Sequence, residues 1–381
     1  MARPASPEVS IIIIGWKQAP ELLTCLEAVA STVDRTKVEV ILTLNEPSPE
    51  LMASLDAKSE LFDERLTAPL NQGYATANNL GARAARGRYL MLLNDDAVPL
   101  EGWLEPLVAR LEADPRIGAV GPACLSAEGQ VAEVGCWLSA EAVPSSIVPL
   151  SSLGSLSAGP VPYVSASAML VRREQYLELG GLDPGYFPAY YEDSDFALKL
   201  LDQGYSTWVE PASRVVHDHV EPGDRRYAMY LVRANRHRFV SRWADVLAMM
   251  PPTTPSGGAQ DRAAEAIATV TALAAAPRRT GPAVPDVTSL TPEAMKRREV
   301  EIFHEYVADL AAILEELEDR ERKYQVLLAE RDHALALLVP ELKRRLEEAN
   351  LELEEYRSRK LVRLTAAAHR ARARLSSSED A

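Results

Sequence analysis

Apolar β-branched residues run from Val9 to Ile14 in "VSIIII", broken only by Ser10, as expected of a strand covered on both faces. "PELLTCLEAVAST" then has helical spacing at Leu22, Leu23, Leu26 and Val29. "KVEVILTL" predicts a second strand and "NQGYATANNLGARAARG" a helix punctuated by glycine, with alanine on its tight face. "RYLMLLNDDAVP" predicts a third strand that ends in acid, and "GWLEPLVARLEADPRIGAVGP" returns a helix and a strand. This alternation implies an α/β fold with a mostly parallel sheet. Ligands of such sheets sit beyond the carboxyl ends of the strands, where "LLNDDAVP" falls.

The pattern weakens from Ser126 to Val164, where hairpin-like pieces flank the loop-like "VPSSIVPLSSLGSLSAGPVP". "VSASAMLVRRE" predicts a strand and a helix start, "YSTWVEPASRVVHDHV" two short strands, and "YAMYLVRANRHRFVSRW" an amphipathic helix. These elements make up one domain over residues 1–247. Pro251, Pro252, Pro255, Gly257 and Gly258 then mark 248–290 as a linker, with one short helix in "RAAEAIATVTALAAAP".

Residues 291–356 change character. Apolar residues recur at steps of three and four through Val300, Phe303, Val307, Leu310, Leu314 and Leu317. The frame continues through Tyr324, Leu328, Leu335, Leu338 and Leu342, with Glu321 and Arg331 as its polar members. The spacing predicts a coiled coil, or else a helical hairpin folded back on the domain, and Pro340 is expected to kink or divide it. An exposed seam of this length asks for a partner helix, most simply a second copy in a homo-oligomer. In 357–381, Arg357 to Arg374 holds Lys and Arg without acid, either a solvated helix end or a face for an anionic membrane.

The chain has 381 residues and a formal net charge of −14, which argues against a protein that coats nucleic acid. "VSIIIIGW" is too short for a signal-peptide core and no run is long enough to span a bilayer. The expected location is cytoplasmic, with the basic tail as a peripheral contact to the inner membrane face. Cys25, Cys124 and Cys136 have no metal or redox spacing and read as reduced core residues.

Three polar groups interrupt this patterning. Asn94, Asp95 and Asp96 follow a buried strand, either as an acidic turn or as oxygen ligands for a divalent cation shared with phosphate. Glu192, Asp193 and Asp195 crowd the mouth of a helix expected to begin near Ser194. One acid is enough for an N-cap, so three suggest a carboxylate kept as general base. His217 and His219 follow a later strand in "RVVHDHV", at the end where the other acids gather.

The order of these motifs resembles inverting glycosyltransferases of family 2, closest in style to bacterial rhamnosyltransferase-like members, from Val9 to about Trp243. The resemblance implies a GT-A nucleotide-diphospho-sugar transferase fold. It implies Mg2+ or Mn2+ as cofactor, a nucleotide-sugar donor, and a glycan, lipid-linked or protein acceptor. "NDD" stands at the family's DxD motif, so Asp96 is implied as metal ligand with His217, and Asp95 and Asn94 as nucleotide-sugar contacts. Asp193 matches the catalytic base and Glu192 its neighbour, and Ser167 in "SASAML" lies in the segment flanking donor and acceptor. Gly15-Trp16-Lys17 replaces the usual Thr-Tyr-Asn, and Leu44-Asn45-Glu46-Pro47 replaces Asp-Asn-Gly-Ser. Asn45 therefore stands in the base-reading segment without its aspartate, and no particular nucleotide is implied. A nucleotidyltransferase shares this fold type, but it has no need of the Glu-Asp pair and usually carries a Gly-rich basic first loop. "IIGWKQAPE" is a poor version of that loop. A non-catalytic coiled-coil scaffold would have no use for Asp96, Asp193 and His217.

Overall fold

The computed structural model describes residues 4–17, 21–148, 156–217, 225–252, 259–275 and 292–376. Its sheet is built on β1 (Val9–Trp16), β2 (Val38–Asn45), β3 (Glu64–Ala68) and β4 (Tyr89–Asn94), which pair in parallel in the order β3-β2-β1-β4. After the two-residue β5 (Val98–Pro99) comes β6 (Ile117–Leu125), an inner strand further along the sheet. The short β7 (Val131–Glu133) pairs with β6, while β8 (Cys136–Leu138) and β9 (Pro144–Ser146) form a separate hairpin. β10 (Gly159–Val161) is an edge strand, and β11 (Ala168–Arg172) wedges antiparallel between β4 and β6. β12 (Ser206–Val216) runs parallel to β6. The two strands expected here are one, interrupted by an irregularity between Glu210 and Arg214 where Pro211 cannot donate to the ladder.

Helices cover both faces, which explains the continuous apolar run in β1. Ile11 and Ile13 pack with α1 (Leu22–Thr32) and α4 (Leu104–Ala113) through Leu22, Leu26, Leu107 and Leu111. Ile12 faces the other way with Leu90 and Leu92, beneath α3 (Gly73–Ala84), α5 (Arg173–Glu178) and α6 (Glu192–Asp202). The alanines of α3 let it lie close to the sheet: a Cβ on Gly81 would come within 2.5 Å of Ile12 Cγ2. α2 (Pro49–Asp56) is capped by Ser48, whose hydroxyl accepts from Leu51 N–H. A third cluster joins Leu138, Tyr191, Phe239 and Trp243 under the β8–β9 hairpin, with Phe239 and Trp243 supplied by α7 (Arg225–Leu247).

The segment expected to be a linker carries α8 (Ala259–Ala274), which packs on this domain: Ala266 is fully buried and Val270 joins the third cluster. The short helix expected within this segment is therefore present, while Pro255, Gly257 and Gly258 fall in 253–258, which with 276–291 is outside the described residues. The three cysteines are buried and free. Among the described residues, no helix is long and apolar enough to cross a membrane.

The chain divides into two compact units, Met1–Phe303 and His304–Ala381. α9 (Pro292–Ser376) is one helix that passes Pro340 without dividing. A proline removes one internal hydrogen bond, and the turns on either side keep theirs. In the first unit Met295 and Ile302 of α9 are buried. In the second, Leu314, Leu317, Tyr324 and Leu338 are exposed. The side chains of the basic segment from residue 356 onward, and residues 377–381, lie outside the described residues.

Candidate active site

The parallel strands deliver Trp16, Asn45 and Asn94 to one edge of the sheet, Trp16 pairing in register with Asn45. Trp16 is exposed there, with the Lys17 ammonium 4.6 Å from its ring centre. Asn45 is buried and faces inward: its Oδ1 accepts from Gln72 N–H at 3.3 Å and its Nδ2 donates to Gly73 O at 3.4 Å. It thereby ties down the loop that opens α3. Gly73 has φ +78°, and a Cβ on it would meet Phe187 Cδ2 at 2.9 Å, so this turn is built for glycine.

Asn94 closes β4, and its N–H donates to Ser167 O at 2.9 Å. Ser167 is buried, and its hydroxyl has no hydrogen-bond partner among the described residues. Asp95 and Asp96 follow in a half-buried turn. Burial, then the negative charge of Asp96, pushes the Asp95 carboxyl up to about 7. Burial raises Asp96 too, but His217 outweighs it and holds the carboxyl below its ordinary range. His217 Nε2 lies 3.2 Å from Asp96 Oδ1, and His217 N–H anchors to Leu125 O at 3.0 Å. The second histidine of the motif, His219, is outside the described residues.

This carboxylate–imidazole pair suits a hard divalent ion that takes one or two protein ligands and completes its shell with diphosphate and water. Among the described residues, no group of three His, Cys, Asp or Glu side chains could hold a metal by itself.

The acidic helix mouth begins two residues before the expected Ser194. Tyr191 takes the N-cap position with φ 78° and no side-chain cap, so neither Asp193 nor Ser194 is the cap. Tyr190 also has positive φ, and two non-glycine residues in that region store strain at the entrance to α6. Asn235 of α7 holds this stretch: its Nδ2 donates to Tyr186 O at 2.9 Å and Ala189 O at 2.8 Å.

The three acids of the cluster have separate environments. Glu192 is buried, its Oε2 lacks a hydrogen-bond partner among the described residues, and burial, then the charge of Asp193, pushes its carboxyl well up. Asp193 is half-buried; burial raises it, against hydrogen bonds from the N–H groups of Ser194 and Ala166. Asp195 is fully buried and structural. Its Oδ1 accepts from Trp243 Nε1 at 2.8 Å and Tyr186 Oη at 3.2 Å, and Lys199 and Arg242 lie within ion-pair distance. Arg242 also reaches the buried Asp183 at 3.0 Å, linking α6 and α7 to the turn at Pro184–Tyr186.

Tyr74 joins the two halves. Its hydroxyl lies 3.0 Å from Asn94 Oδ1 and 2.8 Å from Ala166 O, while the Ala166 N–H binds the Asp193 carboxylate. Sequence reasoning missed Tyr74, whose one visible signal is an aromatic residue in an otherwise small-residue helix start. Nothing in the sequence marked Asn235 or the Asp183–Arg242 pair.

A mostly parallel sheet with an acidic turn at one strand end, facing the acidic mouth of a helix, is a GT-A fold. Residues 10–176 match the model of glycosyl transferase family 2. O-antigen biosynthesis protein RfbC of Myxococcus xanthus is 28% identical over 233 residues, covering 56% of this chain and 17% of RfbC. The N-acetylglucosaminyl-diphospho-decaprenol L-rhamnosyltransferase of Mycobacterium tuberculosis is 25% identical over 266 residues, covering 60% of this chain and 82% of that protein. The chain thus spans only about a sixth of RfbC. Among solved structures, GalNAc-T7 with UDP, GalNAc and Mn2+ aligns with a TM-score of 0.50 at 18% identity, over 68% of this chain and 54% of that one; the likeness is one of fold.

Proposed function

We propose that the chain transfers a sugar from a nucleotide-sugar to a hydroxyl acceptor, with inversion and with Asp193 as general base. The observation that carries this is the connection Asn94–Tyr74–Ala166–Asp193, which ties the acidic strand end to the raised carboxyl at the mouth of α6. Asp193 takes the proton of the acceptor hydroxyl as its oxygen attacks the anomeric carbon opposite the leaving diphosphate. The Ser194 and Ala166 N–H groups keep the carboxylate aimed. Asp96 and His217 are the residues that would hold Mg2+ or Mn2+, which supplies positive charge to the diphosphate when bound. Asn94, Asp95 and the free Ser167 hydroxyl line the donor side, and Asn45 shapes its loop. Glu192 acts through its neighbour, Asp193.

The relative covered over most of its length names a lipid-linked diphosphosugar and L-rhamnose. A lipid-linked acceptor is therefore favoured over a glycan or protein. α9 takes a second copy of the chain as its partner.

The test is incubation with a panel of nucleotide-sugars and Mn2+, reading release of UDP, GDP or dTDP and transfer to acceptor. One donor class is expected to react, with activity lost in EDTA and restored by Mn2+ or Mg2+. No release from any donor would sink the proposal; EDTA-resistant transfer would remove the metal from it.

A further inference from the structure

The two charged interruptions in the α9 seam specify how a second copy must lie. In the seven-residue frame that starts at Val300, Glu321 takes the first apolar position and Arg331 the second. Their neighbours in the frame are bare: Leu314 is 58% and Leu338 55% exposed.

A parallel in-register pair stacks each seam residue on its own copy. Glu321 would then face Glu321, and Arg331 would face Arg331, giving two like-charge layers inside the seam. Sliding one parallel helix keeps the seam only in steps of seven, and these residues are ten apart, so no parallel register brings them together.

An antiparallel pair sets first positions against second positions. Glu321 and Arg331 are equally far from Val326. With the dyad at Val326, each Glu321 meets the partner's Arg331, twice by symmetry. The same register sets Tyr324 on the partner's Leu328, Leu317 on the partner's Leu335, Leu314 on the partner's Leu338, and Leu310 on the partner's Leu342. Leu327 meets its own copy near the axis. Shifting by one heptad either way puts both charges against apolar side chains. One like-charge contact remains, Glu318 with the partner's Asp332 on the solvent edge. Arg331 already donates to Asp332 at 2.9 Å and offsets it, and exposed pairs of this kind weigh little.

We propose that residues 310–342 of α9 form an antiparallel two-stranded coiled coil with a second copy, its register fixed by reciprocal Glu321–Arg331 pairs. A polar pair at seam positions is a recognised way to fix register at some cost in stability. At 1.5 Å per residue the paired stretch is about 50 Å long. At roughly 100 Å² for each covered apolar side chain, it hides on the order of 800 Å² per copy, the size of a standard interface. The orientation rests on the second copy being the partner, and it is independent of the reaction.

The full-length chain is the test material. Leu314→Cys and Leu338→Cys variants, co-expressed with different tags and mildly oxidised, are expected to give a mixed disulfide dimer. Leu314→Cys alone is expected not to cross-link, and the buried native cysteines stay out of the reaction. Efficient self-linking of Leu314→Cys would overturn the orientation while leaving the second copy in place. By sedimentation, Glu321→Arg and Arg331→Glu are each expected to weaken dimerisation at least 10-fold, and the double swap to restore it. A double variant no better than the singles overturns the register, and a monomeric native chain overturns partner and orientation together.

Discussion

The Tyr74 hydroxyl lies 3.0 Å from Asn94 Oδ1 and 2.8 Å from the Ala166 carbonyl, so one phenol spans the acidic strand end and the segment that steadies Asp193. Tyr74→Phe keeps the ring and deletes the bridge. The expected cost is about 1 kcal/mol of stability, the worth of one such hydrogen bond. Turnover is expected to fall by about 10-fold as base and donor lose their common support. Steady-state kinetics beside a melting curve separate the effects; unchanged kcat/KM in a folded variant would deny Tyr74 this positioning role.

Asp193 must be ionised to accept a proton. Burial raises its pKa, with the Ser194 and Ala166 N–H groups pulling the other way. Transfer is therefore expected to rise with pH along a limb that lies above the usual carboxylate range. Asp193→Asn is expected to lose roughly 10²-fold or more in rate, the scale of a general base, and to lose that limb. A kcat/KM–pH profile with the same limb in both proteins would assign the base elsewhere.

Glu192 is raised by burial first and by Asp193 second. The folded chain then holds this proton more tightly than the unfolded chain. The stability this contributes is complete below the unfolded carboxyl pKa of about 4.3 and is lost as pH rises through the folded value. Glu192→Gln never ionises. It is expected to melt higher than the native chain at neutral and alkaline pH, with the difference closing in acid. Thermal melts across that range check the sign, and a variant that melts lower at pH 8 would mean the carboxylate is paired when charged.

The alternation of apolar strands and helices was legible because both faces of the sheet are covered, leaving "VSIIII" and "RYLMLLN" almost without polar residues. The acids at Asp95, Asp96, Glu192 and Asp193 were legible for the opposite reason: patterning has no use for them. Asp195 looked the same in the sequence, yet it is a fully buried structural anchor, because its partners Tyr186, Trp243 and Arg242 are brought to it only by tertiary packing. Asn235 was invisible for the same reason: its amide supports carbonyls more than forty residues away in sequence. The start of α6 was misjudged because Tyr191 adopts a left-handed conformation that no sequence rule gives to tyrosine.

The helix α8 was legible in the sequence but its packing was not, because its contact face is made of small residues between proline-rich flanks. Ala266 is fully buried against Trp137, and Val270 packs in the cluster that holds Tyr191 and Trp243. That cluster holds Tyr191 at the strained entry to α6, so α8 supports the start of that helix from a distance. Ala266→Asp would bury an unpaired charge, one of the few changes expected to cost more than about 3 kcal/mol. A melting temperature lower by roughly 5–10 °C is expected. Truncation makes the same point without a new charge. A chain ending at residue 290 retains α8 and is expected to fold and bind donor, whereas one ending at 252 uncovers Trp137 and Val246 and is expected to melt well below it. Equal melting of the two truncated chains would return α8 to the status of a linker.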